Sequence, residues 1–244
     1  EAVPDYIIHK EYSGTEPTKP EETELYQPIP PTVTPSVNNA APSDAIVLFD
    51  GTDLDEWELA GEGNQPAPWI VNSEERNMTV KDKSGNIRTK RKFGSIQLHI
   101  EWRSPAKIIN KGQSRANSGV FIQERYEVQI LDNNNNDTYV NGQVASIYKE
   151  HIPLAKASVP SGEWNTYDII YHAPTFNADG RKTKSGTITV LHNNVLVQDH
   201  VEIKGTTQFI GWPKIEAHGK ASILLQDHQD NSRVSFRNSW VREL

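Results

Sequence analysis

From residue 45 onward the chain is dominated by a two-residue alternation of apolar and polar positions. The segment SIQLHIEWR (95–103) sets Ile96, Leu98, Ile100 and Trp102 against Gln97, His99, Glu101 and Arg103. Alternation of this length predicts a half-buried β-strand. YEVQILD (126–132) places Tyr126, Val128 and Ile130 on one face and Glu127, Gln129 and Leu131 on the other. WNTYDIIYHA (164–173), GTITVLHNNVLVQDHVEI (186–203), ASILLQDH (221–228) and RVSFRNSWVREL (233–244) read as further strands. Within the second of these, Asn193-Asn194 suits a tight hairpin turn. Helix signals are limited to DLDEW (53–57) and YKEHIPLA (148–155), each long enough for a turn or two. Many strands joined by Gly, Asn and Pro turns, without a repeat near 40 residues, predict an all-β sandwich or jelly roll rather than a propeller. Several strands carry polar residues of functional type on their second face, which predicts a sheet with one concave face open to a groove.

The first 44 residues break this pattern. Eight of the fifteen prolines fall there, with Glu and Thr between them. Proline removes backbone donors and disfavours helix, so residues 1–44 read as an extended or polyproline N-terminal arm ahead of a sandwich domain at 45–244. Two readings of the arm stay open. One is a disordered tether; the other is a segment packed on the domain, since Tyr6, Ile7, Ile8, Leu25, Tyr26 and Ile29 are apolar for a pure linker.

Charge follows the same boundary. Of the net −7, residues 1–45 hold eight acidic and two basic residues (−6), and the remainder 24 acidic and 23 basic (−1). The nearly neutral domain lacks the basic field that a phosphate backbone needs, which argues against nucleic acid as a partner. No run reaches the roughly 18–20 apolar residues of a membrane span. No signal peptide is visible; a chain beginning at Glu1 reads as a mature or trimmed form. With no cysteine, disulfides, thiolate metal sites and a cysteine nucleophile are excluded.

Zincin, α/β-hydrolase, P-loop and dinucleotide-binding motifs are all missing. The best local constellation is Glu127 with Gln129, two residues apart on one face, with Asp132 on the other face or in the following loop. Retaining glycosidases of the sandwich type need two carboxylates about 5–5.5 Å apart. Here Gln129 stands where a second acid would, and Glu101 on another strand is the candidate partner. Gln226-Asp227-His228 offers a histidine beside an acid, a general-base arrangement near neutral pH. Arg237 has a guanidinium fork suited to carboxylates or sugar hydroxyls. Asn117-Ser118-Gly119 opens a strand whose glycine allows close backbone approach. NNNND (133–137) is an oxygen-rich loop that suits either turn chemistry or calcium. Tyr126, Tyr148, Trp164 and Trp212 are candidate platforms for stacking a sugar ring.

Seven strings then occur in a fixed order: LFDGTDLDEW (48–57), EWR (101–103), NSGVFIQ (117–123), YEVQILD (126–132), GEWN (162–165), LQDH (225–228) and VSFRNSWVREL (234–244). As a set they resemble the 3-keto-disaccharide hydrolase family, over some 200 residues. The resemblance implies a concanavalin-A-like jelly roll, a bacterial periplasmic or secreted setting, and glycosides oxidised at C3 as substrates. A ketone at C3 acidifies the C2 hydrogen. A base can remove it, and the C1 leaving group then departs by elimination, with or without later addition of water. Such a route needs a base, a stabiliser for the enolate and a proton donor, but no nucleophilic carboxylate. On this reading Glu127 or His228 is the base or acid. Gln129, Asn117 and Gln226 orient hydroxyls, Arg103 or Arg237 stabilises negative charge, and Tyr148 protonates the leaving group. A divalent metal held by Glu127 and His228 stays open as a cofactor. The competing readings are a non-catalytic, lectin-like binding module and a conventional glycosidase built on Glu101 and Glu127. A purely structural envelope protein is a further alternative. Convergence of Glu127, Gln129, Arg103, His228 and Arg237 in one groove would favour catalysis; scatter into separate ion pairs would favour the binding or structural readings.

Overall fold

Strands form where the alternation runs and stop where it breaks. In the computed structural model, which describes residues 16–38 and 40–244, the strands are β1 (Ile46–Phe49), β2 (Trp57–Leu59), β3 (Ile70–Asn72), β4 (Asn77–Thr79), β5 (Ile87–Thr89), β6 (Ile96–Arg103), β7 (Ser118–Ile122), β8 (Tyr126–Ile130), β9 (Asn165–His172), β10 (Thr175–Phe176), β11 (Lys182–Lys184), β12 (Thr187–His192), β13 (Val195–Glu202), β14 (Leu224–Leu225) and β15 (Ser235–Glu243). Among the described residues there is no α-helix, only short 3-10 turns, and no helix long and apolar enough to cross a membrane.

The strands pair antiparallel into two main sheets. The larger runs β13-β12-β9-β6-β15-β4-β3, with β1 also pairing β15; the smaller runs β2-β5-β14-β7-β8. Ile96, Leu98, Ile100 and Trp102 of β6 meet Val120, Ile122, Val128 and Ile130 of β7 and β8 in one buried core between the sheets. This is the expected all-β sandwich. Hydroxyls of two core tyrosines on β9 tie the layers together: Tyr167 donates to the Gln129 carbonyl (2.6 Å) and Tyr171 to Gln123 Oε1 (2.6 Å). The first of these bonds pins β8, the strand that carries Glu127.

Turn chemistry closes the hairpins. Asn193 and Asn194 join β12 to β13 with φ of 51° and 64°, the left-handed pair that matches strand twist. The two short helical turns expected from sequence do not form. At 53–57 the Asp53 carboxylate takes the Asp55 amide (2.9 Å) in a turn leading into β2. At 148–155, Lys149 lies in the left-handed region at φ 61°, and Pro153 lacks a helix donor. Leu131, grouped with Glu127 by alternation, is buried because β8 ends at Ile130.

The chain divides into two units, Glu1–Val33 and Thr34–Leu244. The division falls earlier than the change in composition at residue 45. Within the second unit, Ser43 accepts from the Thr34 amide (2.9 Å) and Asp44 pairs with Arg242 of β15 (2.6 Å), which binds residues 34–44 to the sandwich. In the first unit, residues 16–33 contain one 3-10 turn at Pro20–Glu22; Tyr6, Ile7 and Ile8 lie outside the described residues.

Candidate functional site

The smaller sheet turns one face to the core and the other, its open face, outward; that face is half-buried at Arg88, Phe121 and Leu224 and buried at Glu127 and Gln129. On β8, Tyr126, Val128 and Ile130 point inward, so Glu127 and Gln129 must point outward. Neighbouring strands line up with them: Glu127 pairs with Phe121 and Gln129 with Gly119 on β7. Gly119 has no side chain, and the Glu127 carboxylate occupies that space; a Cβ there would stand 2.6 Å from Glu127 Oε1. Glu127 is thereby 5 % exposed. Burial disfavours its charged form and raises its carboxyl pKa to about 8. The Gln129 amide has two usable orientations. In one, its nitrogen donates to Gln113 Oε1 (3.1 Å) and the Gly142 carbonyl (3.3 Å). In the other it donates to Glu127 Oε1 and the Ser118 carbonyl, both at 3.0 Å. The second supports an ionised Glu127; the first leaves the amide oxygen to accept from a protonated one.

β8 is the last strand of its sheet, and its outer edge is covered rather than bare. Ser146 accepts from the Gln129 amide (3.0 Å), Tyr148 donates its amide to the Glu127 carbonyl (3.1 Å), and Thr207 donates its amide to the Arg125 carbonyl (2.9 Å). Thr207 Oγ1 accepts from the Glu127 amide (3.1 Å). With Ile147 buried opposite Val128, alternation turns Tyr148 to the open side beside Glu127. The Tyr148 and Tyr139 hydroxyls are 2.6 Å apart. Burial, the Tyr139 hydrogen bond and the Glu127 charge all push the Tyr148 hydroxyl pKa up, so it keeps its proton. Lys149 Nζ sits 5.5 Å from the Tyr148 ring, 5.7 Å from Tyr139 and 4.7 Å from Phe209.

At the other end of the same face stand Asn117, Gln226 and His228. The Gln226 amide donates to the Gly119 carbonyl (3.1 Å), and Asn117 Nδ2 donates to the Gln113 carbonyl (2.6 Å). The side-chain oxygens of Asn117 and Gln226 are buried without a protein partner, an arrangement that asks for a donor. His228 Nδ1 is 2.8 Å from Asp230 Oδ2. Asp230 also holds the Ser232 hydroxyl, which accepts the Asn117 amide (3.0 Å). Asp227 is turned away and caps the Ser84 and Gly85 amides at 2.9 and 3.0 Å.

Glu101, Arg103 and Arg237 are not part of this face, which corrects the expected convergence. They lie on β6 and β15, in the larger sheet, and alternate with core residues. They therefore point out of the opposite side of the sandwich, with two sheets about 10 Å apart in between. There they neutralise one another. Arg237 Nε meets Glu101 Oε2 at 2.6 Å and Arg103 meets Glu75 at 2.8 Å. Both guanidiniums stack on Trp164, at 4.2 and 4.5 Å. Burial opposes ionisation of Glu101, but the bonds from His99, Asn238 and Arg237 outweigh it and lower its pKa to about 2. Burial likewise opposes the charged His99 ring, but hydrogen bonds to Asp168 (2.7 Å) and Glu101 raise its pKa to about 9.

Of the stacking candidates, Tyr126 is in the core and Trp164 is taken up by the two arginines. Tyr148 lines the open face, and Trp212 is 90 % exposed on the nearby loop. The oxygen-rich loop is committed to structure. Asn133, Asn134 and Asn136 bond to backbone groups of residues 112, 132, 136, 144 and 159, and Asp132 pairs with Arg115 (3.0 Å). Among the described residues no three His, Asp or Glu side chains gather as a metal site, Glu127 and His228 included. Gln113 and Lys149 belong to the site but carry no signal in the alternation, because both come from loops.

The chain matches the description "3-keto-alpha-glucoside-1,2-lyase-like domain" over residues 44–242. A solved structure from Parabacteroides distasonis, of a protein proposed to be a glycosyl hydrolase, is 51 % identical; the match covers 93 % of this chain and 97 % of that one, with a TM-score of 0.88. A second such protein from the same organism is 18 % identical over 82 % of this chain and 94 % of that one, with a TM-score of 0.60, a likeness of fold. Among proteins with curated functions none matches. With nearly the whole sandwich covered, the chain belongs to the family of 3-keto-alpha-glucoside-1,2-lyase-like domains, and its role is carbohydrate-active.

Proposed function

We propose that the protein cleaves 3-keto-glycosides by elimination on the open face of the smaller sheet, in a periplasmic or secreted setting. The observation that carries this reading is a buried carboxylate, Glu127, with no second acid near it in its cross-strand row. Glu58, Arg88, Leu224, Phe121 and Glu127 form one row across the five strands. The other acid of that row, Glu58, is four strands away, about 19 Å at about 4.8 Å per strand, and is paired with Arg88 (2.9 Å). Glycosidases of the two-carboxylate type need about 5–9.5 Å. A single base of raised pKa suits removal of a proton beside a ketone.

Glu127 takes the C2 proton, and the electron pair passes to the C3 carbonyl oxygen as an enolate. The enolate re-forms the ketone as the C1–O bond breaks. The leaving oxygen keeps that bond's electrons and takes the Tyr148 proton. The products are an alcohol and an unsaturated keto-sugar, which water converts to the free 3-keto sugar. We assign His228 to the enolate oxygen in its doubly protonated form, which donates Nδ1–H to Asp230 and Nε2–H to that oxygen. The orphaned oxygens of Asn117 and Gln226 accept sugar hydroxyls, and Gln129 follows the protonation of Glu127.

The test is a product assay on 3-keto-glucosides and their unoxidised parents. Cleavage confined to the keto sugars, slowed by deuterium at C2 and lost in Glu127→Gln, is expected. Equal cleavage of the parents, or sugar binding without turnover, would overturn the proposal.

A further inference from the structure

A segment next to Glu127 has a composition that the reaction above does not explain. The loop from Thr206 to Lys214, closed by a bridge between those two residues, reads TTQFIGWPK. Phe209, Ile210 and Trp212 are 72, 82 and 90 % exposed. Apolar side chains clustered and exposed on a loop mark a binding surface. The loop starts beside the reacting carboxylate, since Thr207 is bonded to the β8 edge at Arg125 and Glu127. It is tethered there by Lys149, which donates to the Phe209 carbonyl and lies against the rings of Phe209 and Tyr148. The tip from Phe209 to Pro213 offers no polar side chain, and the Gln208 amide before it is turned onto the Thr206 and Thr207 carbonyls. A second sugar would need hydrogen-bonding groups around its ring; a flat apolar group would not.

We propose that the Thr206–Lys214 loop is the leaving-group platform of this site, and that Phe209 and Trp212 stack an aromatic aglycone while the keto sugar lies over Gly119, Glu127 and Gln129. This rests on the elimination reading for the identity of the sugar. The substrate class is then aryl 3-keto-glycosides, with a phenolic oxygen departing toward Tyr148.

The experiment separates platform from reaction by measuring binding in the full chain carrying Glu127→Gln. Phenyl and methyl 3-keto-α-glucosides are titrated by calorimetry, with and without Trp212→Ala or Phe209→Ala. The phenyl glycoside is expected to bind about tenfold more tightly than the methyl one, and Trp212→Ala to remove most of that advantage while leaving the methyl glycoside unchanged. Equal binding of the two, or an advantage that survives both substitutions, would overturn the platform. So would a keto-disaccharide that gains from Trp212 where the phenyl glycoside does not. Turnover of keto-glycosides by the wild type is scored separately. Its failure beside an intact phenyl advantage would sink the elimination and spare the platform.

Discussion

Replacing Glu127 with glutamine keeps the side-chain shape and removes the ionisation, which isolates what burial does to this carboxyl. The pKa rises from 4.5 to about 8 on folding because burial disfavours the charge. Between those values the folded carboxyl holds a proton that the unfolded chain has released. Unfolding therefore releases a proton, and stability falls as pH rises from about 4.5, levelling off above about 8. At about 1.36 kcal/mol per pH unit, the ceiling is about 5 kcal/mol. Water admitted to the open face would lower it. Urea unfolding of wild type and Glu127→Gln at pH 5 and pH 9 reads the difference. His99 also loses stability on the alkaline side, from about 6.5 through about 9, because its folded pKa is raised. That loss is common to both proteins and cancels in the comparison. The variant should gain on the wild type by up to about 4 kcal/mol between the two pH values, since part of the loss has already occurred at pH 5. A stability difference that does not change with pH would refute a burdened carboxyl. By the same shift, kcat/KM on a keto-glycoside should climb with pH until about 8.

Gly119→Ala sets a methyl against Glu127 Oε1 and Phe121, both side-chain ends that can yield. Stability should drop by about 1–2 kcal/mol, and kcat should fall at least about tenfold, read by denaturant melts and initial rates. Tyr148→Phe removes the proposed proton donor and should lower kcat by about 10²-fold or more, least for substrates with acidic leaving groups. Glu101→Gln leaves the Arg237 charge unpaired on the far face. It should destabilise the fold in thermal melts while kcat/KM stays within about twofold, whereas a Glu101–Glu127 glycosidase would lose its activity.

How far the sequence could be read depended on what each signal encodes. Ile96–Arg103 and Tyr126–Ile130 were legible because one buried face forces alternation, and Asn193-Asn194 because left-handed turns favour asparagine. The two-residue β14 was submerged in a longer apolar run, and its place between β5 and β7 depends on partners more than 100 residues away in sequence. Alternation assigns a residue to a face but not to a sheet. For that reason Glu127 with Gln129 was readable as a pair, while Glu101, Arg103 and Arg237 were grouped with them across a core they cannot cross. Lys149 and Gln113 reached the site through loop geometry, which leaves no periodic trace.

Covering the β8 edge with loops has a consequence for how such a protein can diversify. The reacting carboxylate stands on a strand anchored from beneath by the Tyr167 hydroxyl, whereas the wall beside it is made of segments that meet the strand mainly through main-chain bonds. Main-chain bonds are indifferent to side-chain identity. Residues such as Phe209 and Trp212 can therefore be exchanged without rebuilding the sandwich. A lineage built on this scaffold can hold its chemistry constant and change which molecules it accepts one loop residue at a time.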